Sequence, residues 1–183
     1  MTMSAKYRRR ERGSGLIVVI MIAAFMLSIG MLLLTVTGTS PKASDSLRLQ
    51  GLAFDAAEAG FNAAWIALND AFNSGVYANF AGHYKTQFGG VDGFDDPTQP
   101  DRYFRSLTDD QIIQDCLDHP DPNVLFSSQT LATDPRCSYT VFLVSDEAPN
   151  TVAPNDNNAL LVCIGRGPGG ATKRLEIVLE CPQ

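Results

Sequence analysis

The stretch RRRERGSGLIVVIMIAAFMLSIGMLLLTVTG, residues 8–38, decides how the rest of the chain is read. Four arginines and a glutamate stop at Gly13, and no charged residue follows until Lys42. Leu16 to Thr37 is 22 residues without a charge. At ~1.5 Å rise per residue it spans roughly 33 Å, enough for a bilayer core. A secretory signal has a shorter apolar region, about 7–15 residues, and ends in a small-x-small cleavage site. The run here is too long for that, so it predicts a retained membrane helix. The basic cluster before it orients the helix by the positive-inside rule, with the leading residues cytoplasmic and everything after Lys42 outside.

Charge is divided in the same way. The 183 residues carry a net charge of −6, yet Lys6, Arg8, Arg9, Arg10 and Arg12 all precede Gly13. After Gly13 stand 9 basic and 19 acidic residues. An acidic body repels phosphate, which argues against nucleic acid as a partner. Only two histidines, His83 and His119, are present, which is little material for zinc or general-base chemistry. No Ser/His/Asp spacing and no metal-ligand set stands out, and the chain is expected to be neither an enzyme nor a cofactor binder. The glycines of GRGPGGATK (165–173) are not followed by GK[ST] or a helix, so they read as a turn.

Basic residues, a glycine, then an uninterrupted apolar helix resemble the class III signal of type IV prepilins. In that family a membrane peptidase cuts after the glycine and methylates the new N-terminus. The resemblance implies processing between Gly13 and Ser14. A second stretch, LAFDAAEAGFNAAW (52–65), resembles the segment that follows the membrane helix in PilX-type minor pilins. The two stretches cover residues 8 to about 70, a third of the chain. With Ser14 as the first mature residue, the fifth is Val18, where major pilins place a glutamate. A carboxylate in hydrocarbon is costly without a partner, and in the family it meets the amine of the subunit above. Val18 therefore points to a priming or tip subunit rather than a filament-body pilin; as a structural feature it simply makes a better anchor.

The resemblance implies a minor pilin in type IV pilus assembly, acting at initiation or at the tip. Its partners would be the prepilin peptidase, other minor pilins, the major pilin and a tip adhesin. It would be a single-pass inner-membrane protein with a periplasmic domain before it enters the filament. A minor pseudopilin of a type II secretion system remains the alternative, although such proteins without the glutamate usually carry a larger inserted domain. A membrane-anchored periplasmic enzyme is a third reading, supported only by aspartate clusters.

The expected fold is α+β and pilin-like: a long N-terminal helix, half transmembrane and half amphipathic, packed on a C-terminal antiparallel sheet. The predicted divisions are a basic leader (1–13), a membrane helix (14–40), an amphipathic helix (41–72), an irregular connection (73–136) and a β region (137–183). Thr37-Gly38-Thr39-Ser40-Pro41 predicts a break or kink between the helices. Leu47, Phe54, Phe61 and Leu68, with Trp65 and Phe72, form a stripe expected to be the buried face. Ala53, Ala56, Ala57, Ala59, Ala63 and Ala64 would then allow close approach of neighbouring backbones, and in a filament the exposed small residues could pack on adjacent helices; Glu58 lies at the edge, either solvated or at a subunit contact.

SLTDDQIIQDCLD (106–118) predicts a short helix capped by Thr108. CSYTVFLVS (137–145), ALLVCIGRG (159–167) and TKRLEIVLEC (172–181) predict a three-stranded antiparallel meander packed on the amphipathic helix, and the partial alternation of residues 175–180 suggests one buried face there. Asp92, Asp95, Asp96, Asp109 and Asp110, and PNDNNA (154–159), invite calcium, but the spacing does not match an EF-hand. Cys116, Cys137, Cys163 and Cys181 all follow the membrane segment, which fits disulfides in an oxidising compartment; the other reading is small buried apolar residues. Cys116–Cys137 closes a sensible loop. A tight hairpin would put Cys163 opposite about position 176, leaving it roughly 17 Å from Cys181.

Overall fold

The computed structural model describes residues 11–145 and 156–181, without the side chains of 11–14 and 35–43. The leader before Glu11 and the first two residues of PNDNNA, Pro154 and Asn155, lie outside the described residues. The chain divides into two compact units, Met1–Ser46 and Leu47–Gln183. The first helix, α1 (Glu11–Asn73), contributes to both. Helical backbone continues through Pro41, so the expected break does not end the helix. A proline removes one donor, and the turns on either side supply the remaining hydrogen bonds.

In the first unit the apolar run Gly15–Leu34 is 20 residues with mean hydropathy 2.9, and none of it is buried against protein. It is long and apolar enough to cross a membrane. Its one hydroxyl in mid-run, Ser28, donates to the Ala24 carbonyl at 2.9 Å. That bond removes the penalty of an unpartnered polar group in lipid.

The second unit is α+β. A small hairpin pairs β1 (Gln87–Phe88) with β2 (Val91–Asp92). Gly89 and Gly90 form its turn with φ of 61° and 72°, a conformation that two consecutive glycines adopt without strain. Next come α2 (Asp109–Asp118), β3 (Val124–Thr130), β4 (Ser138–Val144), β5 (Asn158–Arg166) and β6 (Thr172–Glu180). The last four form one antiparallel sheet in the order β3-β4-β5-β6. The helix at 109–118 starts as expected. Thr108 Oγ1 accepts from Gln111 N, and the Gln111 side chain returns to Thr108 N at 2.9 Å.

Three differences from the sequence expectation matter. First, the connection 73–136 is not simply irregular, because it holds the hairpin and an edge strand, β3. That strand is bulged: Ser128 has φ of 47°, and its N–H turns to Thr140 Oγ1 at 3.1 Å. The polar FSSQT end and the bulge hide the alternation that marks a strand. Second, the central strands are buried on both faces. Val141, Leu143, Leu161 and Cys163 meet the α1 side, while Phe142, Val144, Val162 and Ile164 meet α2 with Phe94 and Phe104. Helices on both faces make these strands read as continuous apolar runs.

Third, the buried face of α1 is not the bulky stripe. Ala53, Ala56, Ala57, Gly60, Ala64 and Leu68 are the buried positions. Leu47, Phe54 and Trp65 point outward, and Phe61 is half-buried. At about 100° per residue, the true contact face lies roughly 90° round the helix from the centre of that stripe. A seven-residue repeat also drifts ~20° per heptad on a straight helix, so the series that leaves Leu47 in solvent brings Leu68 into the core. The sheet explains the choice. A Cβ added to Gly165 of β5 would overlap the Ala53 carbonyl oxygen and the Ala57 amide, and one at Gly167 would lie 3.1 Å from Leu49 O. Backbone meets backbone here, and only small residues permit it.

Candidate functional site

Helix α1 exposes a large apolar surface in both units. In the first unit Leu16, Ile17, Val18, Ile20, Phe25 and Leu27 are all exposed, a surface suited to lipid or to other apolar helices. Val18 is among them, half-exposed. Gly13 and Ser14 fall in helical backbone, but their side chains lie outside the described residues.

In the second unit Leu47, Phe54, Trp65 and Ile66 are exposed, Trp65 at 51% and Ile66 at 63%. Phe61 packs beside Trp65, ring centroids 6.2 Å apart. Trp65 then walls a groove of about 230 Å³ with Leu68, Phe72, Phe80 and Leu179. Glu58 is exposed on the outer side, away from the sheet. Ala53, Ala56, Ala57 and Ala64 are buried, and the close backbone approach expected of the small residues is made to the chain's own sheet. The bulky residues take the outward role.

The chain matches no family model, no curated protein and no solved structure.

The cysteines are all free thiols. Cys116, on the buried face of α2, belongs to the cluster of Phe94, Phe104 and Ile113, where burial pushes its thiol up to about 11. Cys137 lies in a different neighbourhood, where burial and the charges of Asp134 and Asp55 raise its thiol. The expected Cys116–Cys137 pair is therefore not made. Cys163 stands opposite Leu175 in the β5–β6 register. Cys181 lies six residues further on, about 20 Å along the strand, so these two do not pair either. Burial pushes Cys163 up to about 12. The compact-apolar reading of the cysteines fits the structure.

Asp92, Asp96, Asp109 and Asp110, considered for calcium, have protein partners. Asp92 Oδ1 accepts from Gln87 Nε2 at 3.0 Å, and Asp96 accepts from both the N–H and the hydroxyl of Thr98. Arg166 reaches Asp110 at 3.4 Å. Asp109 receives Arg174, whose guanidinium also donates to the Phe104 and Leu107 carbonyls at 2.9 and 3.1 Å. Arg174 thereby fastens the start of α2 to β6. Among the described residues no group of three or more His, Cys, Asp or Glu is placed to hold a metal ion.

One polar cluster had no signal in the sequence. Lys85 is buried and ion-paired with Asp115 at 2.9 Å, with Asp121 at 3.9 Å. The three residues are scattered over 37 positions and join only because Lys85 N donates to Leu143 O of β4 at 2.8 Å. A lone lysine in a loop and two aspartates near a helix end give no pattern to detect.

Proposed function

We propose that this chain is a minor pilin of the PilX type that takes part in type IV pilus assembly at initiation or at the tip. What carries the reading is the basic leader ending in Gly13 and running directly into an unburied 20-residue apolar helix, Gly15–Leu34. In this reading the leader is cytoplasmic, the helix rests in the inner membrane and the acidic α+β domain is periplasmic until extraction into the filament. The prepilin peptidase cuts between Gly13 and Ser14. The exposed residues Leu47, Phe54, Trp65 and Ile66 are the surface offered to other minor pilins and to the major pilin, with a tip adhesin as a further partner. Val18 suits a subunit with no amine above it to neutralise. The work is assembly by helix packing, without catalysis or cofactor.

Co-expression with an active prepilin peptidase tests it. The mature chain should begin at N-methylated Ser14 by mass analysis, and Gly13→Leu should stay uncut because a bulky side chain crowds the scissile position. An uncut wild-type chain refutes the reading. Deletion should lower pilus number more than pilus length, since a primer acts once per filament. Unchanged pili with lost protein secretion would instead assign the chain to a type II secretion pseudopilus.

A further inference from the structure

Lys85 is a buried cation that nothing above employs. Its side chain is 1% exposed and that of Asp115 is 4% exposed. The Phe94 ring centroid lies 5.0 Å from Nζ, and Phe94 belongs to the buried apolar cluster that also holds Cys116, Ile112 and Phe142. Asp121 Oδ2 stands 3.9 Å from the same Nζ. The frame is firm. Lys85 is fixed by its backbone bond to β4, and Asp115 belongs to the capped helix α2. The Asn123 side chain donates to Tyr84 O at 2.8 Å while its N–H donates to Asp121 Oδ1 at 2.9 Å. This ties the Asp121 turn to the residue before Lys85.

The two oxygens of Asp115 are held differently. Oδ1 accepts the Gly89 N–H at 2.7 Å and faces His119 Nδ1 at 3.1 Å. A carboxylate only accepts, so it selects the tautomer with hydrogen on Nδ1. Oδ2 receives no directed hydrogen bond and is turned towards the ammonium. One oxygen is thus cradled by donors where negative charge would be stabilised, and the other is left free to depart. The amine is held beside the same carboxyl, in a site that excludes water.

We propose that Lys85 and Asp115 condense into an intramolecular isopeptide bond, Nζ to Cγ, with Asp121 as the proton carrier. One proton passes from Lys85 Nζ to Asp115 Oδ2, leaving an amine beside a carboxylic acid. The Nζ lone pair attacks Cγ. A C–N bond forms, and the carbonyl electron pair moves onto Oδ1, against the Gly89 N–H. Asp121 takes a second proton from nitrogen and passes it to Oδ2. The Cγ–Oδ2 bond breaks with its electron pair on oxygen, water leaves, and the Oδ1 carbonyl re-forms. Ammonium plus carboxylate becomes amide plus water. Asp121 returns unchanged, and no oxidant, metal or activated co-reactant is consumed. The product is a covalent tie between the β1–β2 region and α2. The structure holds the pair before reaction.

The test uses the full chain purified in detergent. The wild-type protein should weigh one water less than its sequence, and its digest should contain a branched peptide joining Lys85 to Asp115. Lys85→Met and Asp121→Asn, each checked for folding by circular dichroism, should keep full mass. A folded wild-type protein with Lys85 in a linear peptide overturns the proposal. So does a water loss that maps elsewhere, such as a succinimide at Asp92-Gly93. Normal bond formation in Asp121→Asn overturns the role given to Asp121.

Discussion

The backbone contact between α1 and β5 makes a sharp prediction about three glycines. At Gly165 an added methyl would overlap the Ala53 carbonyl and the Ala57 amide. Overpacking a core typically costs about 1 to 3 kcal/mol. The obstacles here are backbone atoms in a helix and cannot rotate aside. Gly165→Ala should therefore cost ~3 kcal/mol or more. At Gly60 the new Cβ would meet Tyr139 Cδ2 and Val141 Cγ2 at 3.0 Å. Those are side chains that can yield by tenths of an ångström. Alanine also gains about 1 kcal/mol of helix propensity over glycine, so Gly60→Ala should fall between neutral and ~1 kcal/mol destabilised. At Gly51 nothing lies within 4 Å, and the same substitution should stabilise by roughly 0.5 to 1 kcal/mol. Trp65 is the only tryptophan and lies on the same helix. Its fluorescence during urea denaturation in detergent reports all three variants. If Gly165→Ala is as stable as Gly51→Ala, the helix does not sit on the sheet as described.

The thiols offer a second test: the denatured, unreduced protein should label at four cysteines, whereas the native protein should label first at half-exposed Cys181 and leave Cys116 and Cys163 protected. Cys116 and Cys163 are held protonated in the fold, up to about 11 and about 12, above the ordinary value of 9.0. The folded state then binds more protons than the unfolded one above pH 9, so stability falls as pH rises from 9 towards 11, by up to ~1.4 kcal/mol per unit for each thiol. Cys163→Ala should flatten that fall in pH-dependent urea titrations, and an unchanged slope counts against the burial described. Arg174→Met should cost about 2 to 3 kcal/mol, because Asp109 and two carbonyls lose a charged donor, and should loosen amide protection in α2 before that in β5. Val18→Glu should insert in the membrane yet prime no more pili than wild type; a mutant that spreads along the shaft at no cost would refute the tip reading.

Local chemistry was the most legible. The charge-free run Leu16–Thr37, the capping residues Thr108 and Gln111, and the three apolar strands all follow from side-chain type over a few residues. Their physics is short-range: hydropathy, a cap, β-branching. The pairing of faces was not legible, since it depends on what approaches. Phe54 and Trp65 carry more apolar area than Ala53 or Gly60, so periodicity alone favours them for the core. The deciding residues are Gly165 and Gly167, more than a hundred positions away. Likewise β3 is disguised by its bulge at Ser128. The Lys85–Asp115–Asp121 cluster exists only once β4 has captured the backbone of Lys85.

The seam of Ala53, Ala57, Gly60 and Gly165 has one more implication. A helix that holds its own sheet with its smallest side chains leaves its largest ones unspent. On the function proposed above, folding and recognition are then written on separate sides of one helix. On that proposal Leu47, Phe54 and Ile66 could be exchanged for another set while the alanine seam stayed as it is, and the molecule would change whom it stands beside while remaining the same molecule.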